Sequence, residues 1–335
     1  MTEHLVTLKA AAIDMLERQD IALRAVHGGG NAGVFKITTD TQDFALKAYP
    51  AMTDDGRDRR LTEWRALEFM AANGITNIPL PIATDVAANR SILSWCAGNT
   101  VRVDELAIDQ AVGFIKQLSM LRTQIAAASL PLASEACLSA AELVRQINQR
   151  LQRLQRDAIA DRNFQAFLSH QLAPRVTRWR ADAEAAYDRL NWSFSAPVAA
   201  AARTLSPSDF GFHNAIQTAD NRLTFIDFEY FGWDDPVKIT ADFMLHPGMN
   251  LSDDQGQQFC TALTEIFGSS DGPDAAFATR LKILLPLYRL RWCFIILNEF
   301  LPDRWQRRQA AGNQQQRQTV LAQQLVKAVQ MLDRH

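Results

Sequence analysis

Cysteine is scarce in this 335-residue chain: Cys96, Cys137, Cys260 and Cys293 stand far apart and form no C-x-x-C pair. That spacing argues against a structural zinc site and against a disulfide framework, and makes reduced thiols in a reducing compartment the expectation. A strong charge of either sign is also missing. With 35 Lys and Arg against 37 Asp and Glu the formal net charge is −2, so no global field draws the chain to nucleic acid or to an anionic membrane. Nor is there a long unbroken apolar run. The most apolar stretch, Leu281 to Leu301, is interrupted by Lys282, Arg289, Arg291 and Glu299, which suits a buried helix and not a membrane span. The opening residues MTEHLVTLKAAAIDMLERQD carry acidic side chains inside their apolar pattern, so the expectation is no secretory signal and a cytoplasmic protein. No internal repeat is found, and the Gln-rich piece from Ala310 to Gln318 reads as a polar connection.

Apolar material, by contrast, is ample. At 47% hydrophobic content the chain can bury a sizeable core, and its length suits two domains or one two-lobed unit. Leu5, Leu8, Ala12, Met15 and Leu16 fall near helical spacing and predict an N-terminal amphipathic helix. Ile21 to Val26, Val34 to Thr38 and Phe44 to Tyr49 read as strands, the first two joined through His27-Gly28-Gly29-Gly30-Asn31-Ala32-Gly33. Glycines there let backbone N–H groups approach a phosphate with no Cβ in the way, although the same run equally suits a plain hairpin tip. Asp54 to Ala72 predicts a helix with Leu61, Trp64, Leu67 and Phe69 on its apolar face and Asn73-Gly74 at its end. Ile78 to Ile82 and Arg90 to Trp95 add two strands, completing a five-stranded antiparallel sheet with one helix on it, and Cys96-Ala97-Gly98 is the expected linker. From Val103 to Leu190 the pattern is nearly all helical, with a break at Ser129 to Pro131 and a capping box at Ser139 to Glu142. The Gln/Arg-rich part from Gln146 to Arg156 reads as a solvated helix face. Further helices are expected at Val237 to Leu245, Asp253 to Phe267, Ala275 to Leu301 and Gln314 to Leu332. The fold class is therefore α+β, with residues 1–96 forming a small sheet-bearing lobe and 97–335 a mainly helical one.

The stretch from Leu205 to Pro236, LSPSDFGFHNAIQTADNRLTFIDFEYFGWDDP, organises the rest. Pro207, Gly211 and the Ser/Asp cluster break both periodicities and put Asp209 and Asn214 on an irregular loop. Ala215 to Gln217 and Arg222 to Ile226 read as a short hairpin whose second strand ends at Asp227. Asn214 and Asp227 then offer two oxygen ligands beside a third carboxylate, Asp209, and hard oxygen donors at low count suit Mg²⁺ on a nucleotide phosphate.

These residues resemble the core of the aminoglycoside phosphotransferase and choline kinase group, small-molecule relatives of the protein kinases, whose loop reads H-x-D-x-x-x-x-N with a metal Asp on the next hairpin. The run Ile226-Asp227-Phe228-Glu229-Tyr230 is similar to choline kinases, and Asp235-Pro236 followed by Asp242 to the aminoglycoside enzymes. Pro207 stands where the group has His. The resemblance implies a protein-kinase-like two-lobed fold, and transfer of the γ-phosphate of ATP, or GTP, to a hydroxyl of a small molecule, with Mg²⁺ as cofactor. It implies Asp209 as the catalytic carboxylate, Asn214 and Asp227 as metal ligands, and Asp242 as a brace below the loop. Gly28, Gly29, Gly30 and Asn31 would lie over the phosphates, Lys47 would hold them, and Glu63, with Glu68 as competitor, would orient Lys47. The backbone of Ser94, Trp95 and Cys96 would meet the adenine. For the acceptor it points to Tyr230, Trp233, Tyr288, Arg289, Trp292 and Glu299. Tyr288, Trp292 and Glu299 share a helix face by spacing, and a core-packing stripe is the competing reading. Aromatic rings plus an acid suit a sugar, amino sugar or amino alcohol; choline, ethanolamine or an aminoglycoside is the alternative. Two other classes stay open: a kinase-like binding or regulatory module without turnover, and a metal-dependent hydrolase of phosphates. No nucleic-acid or membrane partner is expected, and the sequence leaves the oligomeric state open.

Overall fold

The computed structural model describes residues 2–26, 33–50, 56–249, 251–310 and 316–333. The chain divides into two compact units, one of residues 1–135 and 204–233, the other of residues 136–203 and 234–335. The boundary expected at 96/97 falls inside the first unit.

The first unit is built on a five-stranded antiparallel sheet of order β1-β2-β3-β5-β4, with β1 Ala22–Ala25, β2 Gly33–Thr38, β3 Asp43–Ala48, β4 Pro81–Asp85 and β5 Arg90–Ser94. Successive side chains on a strand point to opposite faces, and β3 uses both. Phe44 and Leu46 join Phe35, Ile37 and Ile92 in a buried cluster with Leu8 and Ala12 of helix α1, Thr2–Leu16. Lys47 and Tyr49 emerge on the other face, where both reach Glu63 of α2, Arg59–Ala72. The sheet thus carries α2 as expected, with α1 added on the opposite face. Most strand ends shift by one residue from the sequence reading, and the starts of α2 and β4 shift further. α2 starts at Arg59 because Asp58 caps it, its Oδ1 accepting from Leu61 N at 2.8 Å. β4 starts at Pro81 and not at Ile78, since Pro79 has no N–H for a ladder and the pairing reaches back only as far as Ser94 N to Leu80 O, 2.9 Å.

Beyond the sheet, β6, Asn99–Thr100, pairs with β8, Ala215–Gln217, which forms the expected hairpin with β9, Leu223–Phe225. Gly98 precedes β6 at φ +157°, and a Cβ there would meet Gln217 O at 2.4 Å, so only glycine lets the two segments approach. Helix α3, Glu105–Leu121, supplies Phe114, which stacks on Phe225 with ring centroids 4.5 Å apart and on Phe210 at 5.8 Å. With Phe228 and Phe231 these rings form the aromatic floor of the loops that follow. β7, Thr204–Ser206, pairs with β10, Gly232–Asp234.

The second unit is helical: α4 Ala140–Asp157, α5 Arg162–Phe167, α6 Ala173–Arg189, α7 Pro236–Leu245, α8 Asp253–Gly268, α9 Phe277–Ile296, α10 Pro302–Ala310 and α11 Arg317–Asp333. α9 is buried on most of its circumference, with Leu284, Leu287, Tyr288, Leu290 and Phe294 in the core. It stops at Ile296 and a 3₁₀ turn, Leu297–Phe300, follows, so the single helix expected to run to Leu301 is shorter. Ser139 caps α4 by accepting from Glu142 N, but the Glu142 carboxylate is taken by Arg145 and Gln146. The full capping box lies at Ser252 and Gln255 before α8. On α4, Gln146 is buried and its amide oxygen accepts from Cys137 Sγ, a departure from the solvated face expected there. Charge is buried too: Arg280 binds both oxygens of Asp235 and also Asp274, and Lys238 lies between Asp234 and Asp242. The cysteines are unbridged. Among the described residues no helix is long and apolar enough to cross a membrane.

Candidate active site

Lys47 is the centre of the first unit's polar cluster. It leaves the sheet on the face opposite Leu46 and is 7% exposed. Its Nζ donates to Glu63 Oε2 at 2.7 Å and to Asp227 Oδ1 at 2.8 Å. Burial by itself would lower the ammonium's pKa; the charges of Glu63 and Asp227 outweigh it and hold the pKa well above the ordinary lysine value. Glu63 is shared further: Oε2 also accepts from the Tyr49 hydroxyl at 2.6 Å, and Oε1 from Phe228 N at 3.0 Å. One carboxylate therefore ties β3, α2 and the segment after β9 together. Burial, then the Glu63 charge, raises the Tyr49 phenol well above its usual range. An ammonium has three N–H donors, and Glu63 and Asp227 engage two of them.

Asp227 follows β9 at φ +68°, the left-handed region that Asp tolerates better than most side chains. The conformation turns the chain so that Phe228 enters the aromatic floor and Glu229 is buried at 0% exposure. Glu229 Oε1 accepts from Arg59 Nη1 at 3.0 Å, and Arg59 lies 4.9 Å from the ring centre of Tyr230. Burial, reinforced by the Asp227 charge and opposed by Lys47 and Arg59, pushes the Glu229 carboxyl up to about 7. Its second oxygen, Oε2, is buried with no hydrogen-bond partner among the described residues.

The loop before the hairpin is fixed by its own backbone. Asp209 N donates to Pro207 O at 2.9 Å, Ser208 sits at φ +68°, and Phe212–Asn214 makes one 3₁₀ turn anchored by the buried Phe212. Asn214 Nδ2 donates to Asp209 O at 2.9 Å, and Ile226 N donates to Asn214 O at 2.9 Å. The first bond orients the Asn214 amide with its oxygen as the acceptor end; the second holds the loop to the strand that ends at Asp227. Asp209 Oδ1 lies 3.0 Å from His213 Nε2. Asn214, Asp227 and Glu229 each offer oxygen donors and no thiolate, a chemistry that suits a hard divalent cation.

Of the residues singled out from sequence, Lys47, Glu63 and Asp227 are in direct contact, while Asp209 and Asn214 are joined through the loop backbone. Gly28, Gly29, Gly30 and Asn31 lie outside the described residues. Ser94 Oγ accepts from Leu80 N, Trp95 is capped by Lys36 Nζ at 4.8 Å from its ring centre, and burial pushes the Cys96 thiol up to about 11. Trp233 donates Nε1 to Ala127 O at 2.9 Å. In the second unit Tyr288 is 1% exposed, and Trp292 is buried and donates Nε1 to Asp242 Oδ1 at 2.9 Å. Arg289 is half-buried on α9, whereas Glu299 lies in the 3₁₀ turn after it, so Glu299 does not continue the Tyr288 and Trp292 face. Tyr49, Arg59, His213 and Glu229 complete the cluster without having been singled out as site residues. Tyr49 carried a signal, two positions after Lys47 on one strand face; His213 and Glu229 had none beyond proximity to Asp209 and Asp227.

Comparison with known proteins bears on the family and the fold. The model of a family described as "Phosphotransferase enzyme family" matches residues 22–265. No curated protein matches the chain. Among solved structures, a choline/ethanolamine kinase family protein from Mesorhizobium loti superimposes with a TM-score of 0.61 at 19% identity, covering 99% of this chain and 95% of that one. A spectinomycin phosphotransferase in complex with ADP and spectinomycin gives 0.61 at 12% identity, covering 97% and 98%. Choline kinase from Streptococcus pneumoniae gives 0.60 at 14%, covering 99% and 100%. At these identities the likeness establishes the fold: a small antiparallel sheet followed by a mainly helical part.

Proposed function

The chain belongs to the phosphotransferase enzyme family, and we propose that it moves the γ-phosphate of ATP to a hydroxyl of a small molecule. The observation that supports this most is Lys47 Nζ held between Glu63 Oε2 at 2.7 Å and Asp227 Oδ1 at 2.8 Å. A buried, fully charged lysine fixed on a strand is suited to pairing with nucleotide phosphates. Glu63 keeps the ammonium in place, and Tyr49 and Phe228 N keep Glu63 in place. Asn214 and Asp227 would hold Mg²⁺, with Glu229 beside them, and the bound cation would supply positive charge to the phosphates. Asp209 accepts a hydrogen bond from the acceptor hydroxyl and takes its proton as the new O–P bond forms, while ADP departs. The proton then passes to solvent. Backbone groups at 94–96 would meet the base, and Gly28, Gly29, Gly30 and Asn31 would offer backbone N–H groups to the phosphates. A cytoplasmic setting supplies the ATP.

For the acceptor, a sugar, amino sugar or amino alcohol is the preferred class, with choline, ethanolamine or an aminoglycoside next. One face of Tyr230 already carries Arg59 at 4.9 Å, and Tyr288 is packed in the core. Both observations weigh against an aromatic cage for a quaternary ammonium at these rings. The experiment that tests the proposal is ADP release from Mg·ATP against a panel of sugars, amino sugars, amino alcohols and spectinomycin. Thermal stabilisation by ATP with and without Mg²⁺ accompanies it. Turnover of a member of the panel with Mg²⁺-dependent stabilisation supports the proposal. Stabilisation without turnover on any member favours a non-catalytic kinase-like module, and absence of both favours a hydrolase of phosphates.

A further inference from the structure

The catalytic carboxylate of the proposed reaction sits on an irregular loop, and its side chain is 41% exposed. A hydroxyl is deprotonated well only by a carboxylate oxygen held at hydrogen-bond reach. Upstream, Pro207 has no N–H to offer. Ser206 Oγ accepts from Ser208 N at 3.0 Å and Ser208 Oγ donates to Ser134 O at 3.0 Å, which holds the backbone just before Asp209. Downstream the situation differs. His213, four positions after Asp209, lies in the single 3₁₀ turn Phe212–Asn214, with Nε2 3.0 Å from Asp209 Oδ1. The turn is pinned at both ends, by the buried Phe212 and by Asn214, which donates N to Gly211 O at 3.0 Å and Nδ2 to Asp209 O at 2.9 Å. The imidazole and the carboxylate therefore belong to one small closed ring of backbone, so the position of the one fixes the other.

We propose that His213 is a positioning residue for Asp209: its Nε2–H donates to Oδ1 and fixes the carboxylate so that Oδ2 faces the acceptor hydroxyl. The inference rests on the phosphotransfer reading above. Nothing in the contact requires the ring to be charged, because a neutral imidazole protonated at Nε2 makes the same bond.

The test has two arms. ADP release from Mg·ATP is measured with a mixture of choline, ethanolamine, glucosamine and glucose for the parent, His213→Ala and His213→Gln. His213→Gln retains an N–H donor at similar reach. The expected result is a fall in kcat of about tenfold or more for His213→Ala, a part of the range for general-base catalysis, with KM for ATP unchanged and most of the rate restored in His213→Gln. In the second arm, proton NMR of imidazole-labelled protein follows the His213 Nε2–H, expected downfield in the parent and lost in Asp209→Ala. A His213→Ala kcat within twofold of an active parent, or a resonance indifferent to Asp209→Ala, overturns the inference alone. A parent that releases no ADP with any acceptor overturns the transfer reading and the role that rests on it.

Discussion

Lys47 Nζ lies 2.8 Å from Asp227 Oδ1 across 180 positions of sequence. The contact fastens the sheet to the turn after β9, and it sets the consequences of losing either partner. A strand lysine open to solvent would contribute little to stability. At 7% exposure, with two carboxylates on its ammonium, Lys47 contributes more. Lys47→Met should leave Glu63 without its counter-charge and cost about 3–5 kcal/mol, the usual penalty for breaking a buried pair from one side. A urea midpoint unchanged from the parent contradicts this.

Tyr49 should matter through Glu63. The hydroxyl donates to Oε2 at 2.6 Å in a buried setting, and a hydrogen bond to a charged group contributes roughly 1.5–3 kcal/mol. Tyr49→Phe is expected to lower the unfolding free energy by that amount, read as a lower urea midpoint with the slope of unfolding unchanged. If Phe is tolerated without loss, Glu63 is held by Lys47 and Phe228 N alone.

Glu229 gives a pH dependence of known sign. Burial raises its carboxyl from the ordinary 4.5 to about 7. Between those values the folded chain keeps a proton that the unfolded chain has released, so the folded state is favoured at low pH and loses that advantage as pH rises through this window. Glu229→Gln removes the titration. Measured from pH 5 to pH 8 without nucleotide or divalent cation, the thermal midpoint of the parent should fall relative to that of the variant. Parallel curves, or a parent that gains on the variant, contradict the assignment.

In the second unit Asp235 serves two partners. Its Oδ1 accepts from Val237 N at 2.9 Å and so caps α7, while both oxygens take Arg280. Asp235→Ala should cost about 3–5 kcal/mol, because a buried guanidinium loses its main counter-charge, whereas Asp235→Asn keeps the cap and should fall between. Equal stability of the two variants would place the cost in the lost counter-charge alone, and an Asp235→Asn protein as stable as the parent would place it in the cap.

How far the sequence reaches is instructive at particular residues. The alternation of Phe44, Leu46 and Lys47 marks β3 and the side from which the lysine emerges, and Ala215–Gln217 with Leu223–Phe225 marks the hairpin, because strand period and turn residues are local signals. Asp235-Pro236 announces the start of α7 for the same reason. The end of α9 at Ile296 carried no such mark: Leu297, Asn298, Glu299 and Phe300 continue the apolar pattern, and the break comes from tertiary packing. Of the three partners of Glu63, Lys47 was implied by the family resemblance, while Tyr49 and Phe228 N were hidden likewise. They come from β3 and from the turn beyond β9, 14 to 165 positions away, and no periodicity links segments so far apart.

The central claim is phosphate transfer at the Lys47, Glu63 and Asp227 cluster, and the most direct measurement is transfer of label from Mg·[γ-³²P]ATP to a hydroxyl acceptor, compared between the parent and Asp227→Asn. Labelled acceptor is expected from the parent and a loss on the order of 100-fold or more in the variant, since several kcal/mol of transition-state stabilisation would go with the metal ligand. A folded Asp227→Asn protein that labels acceptor at the parent's rate would contradict it.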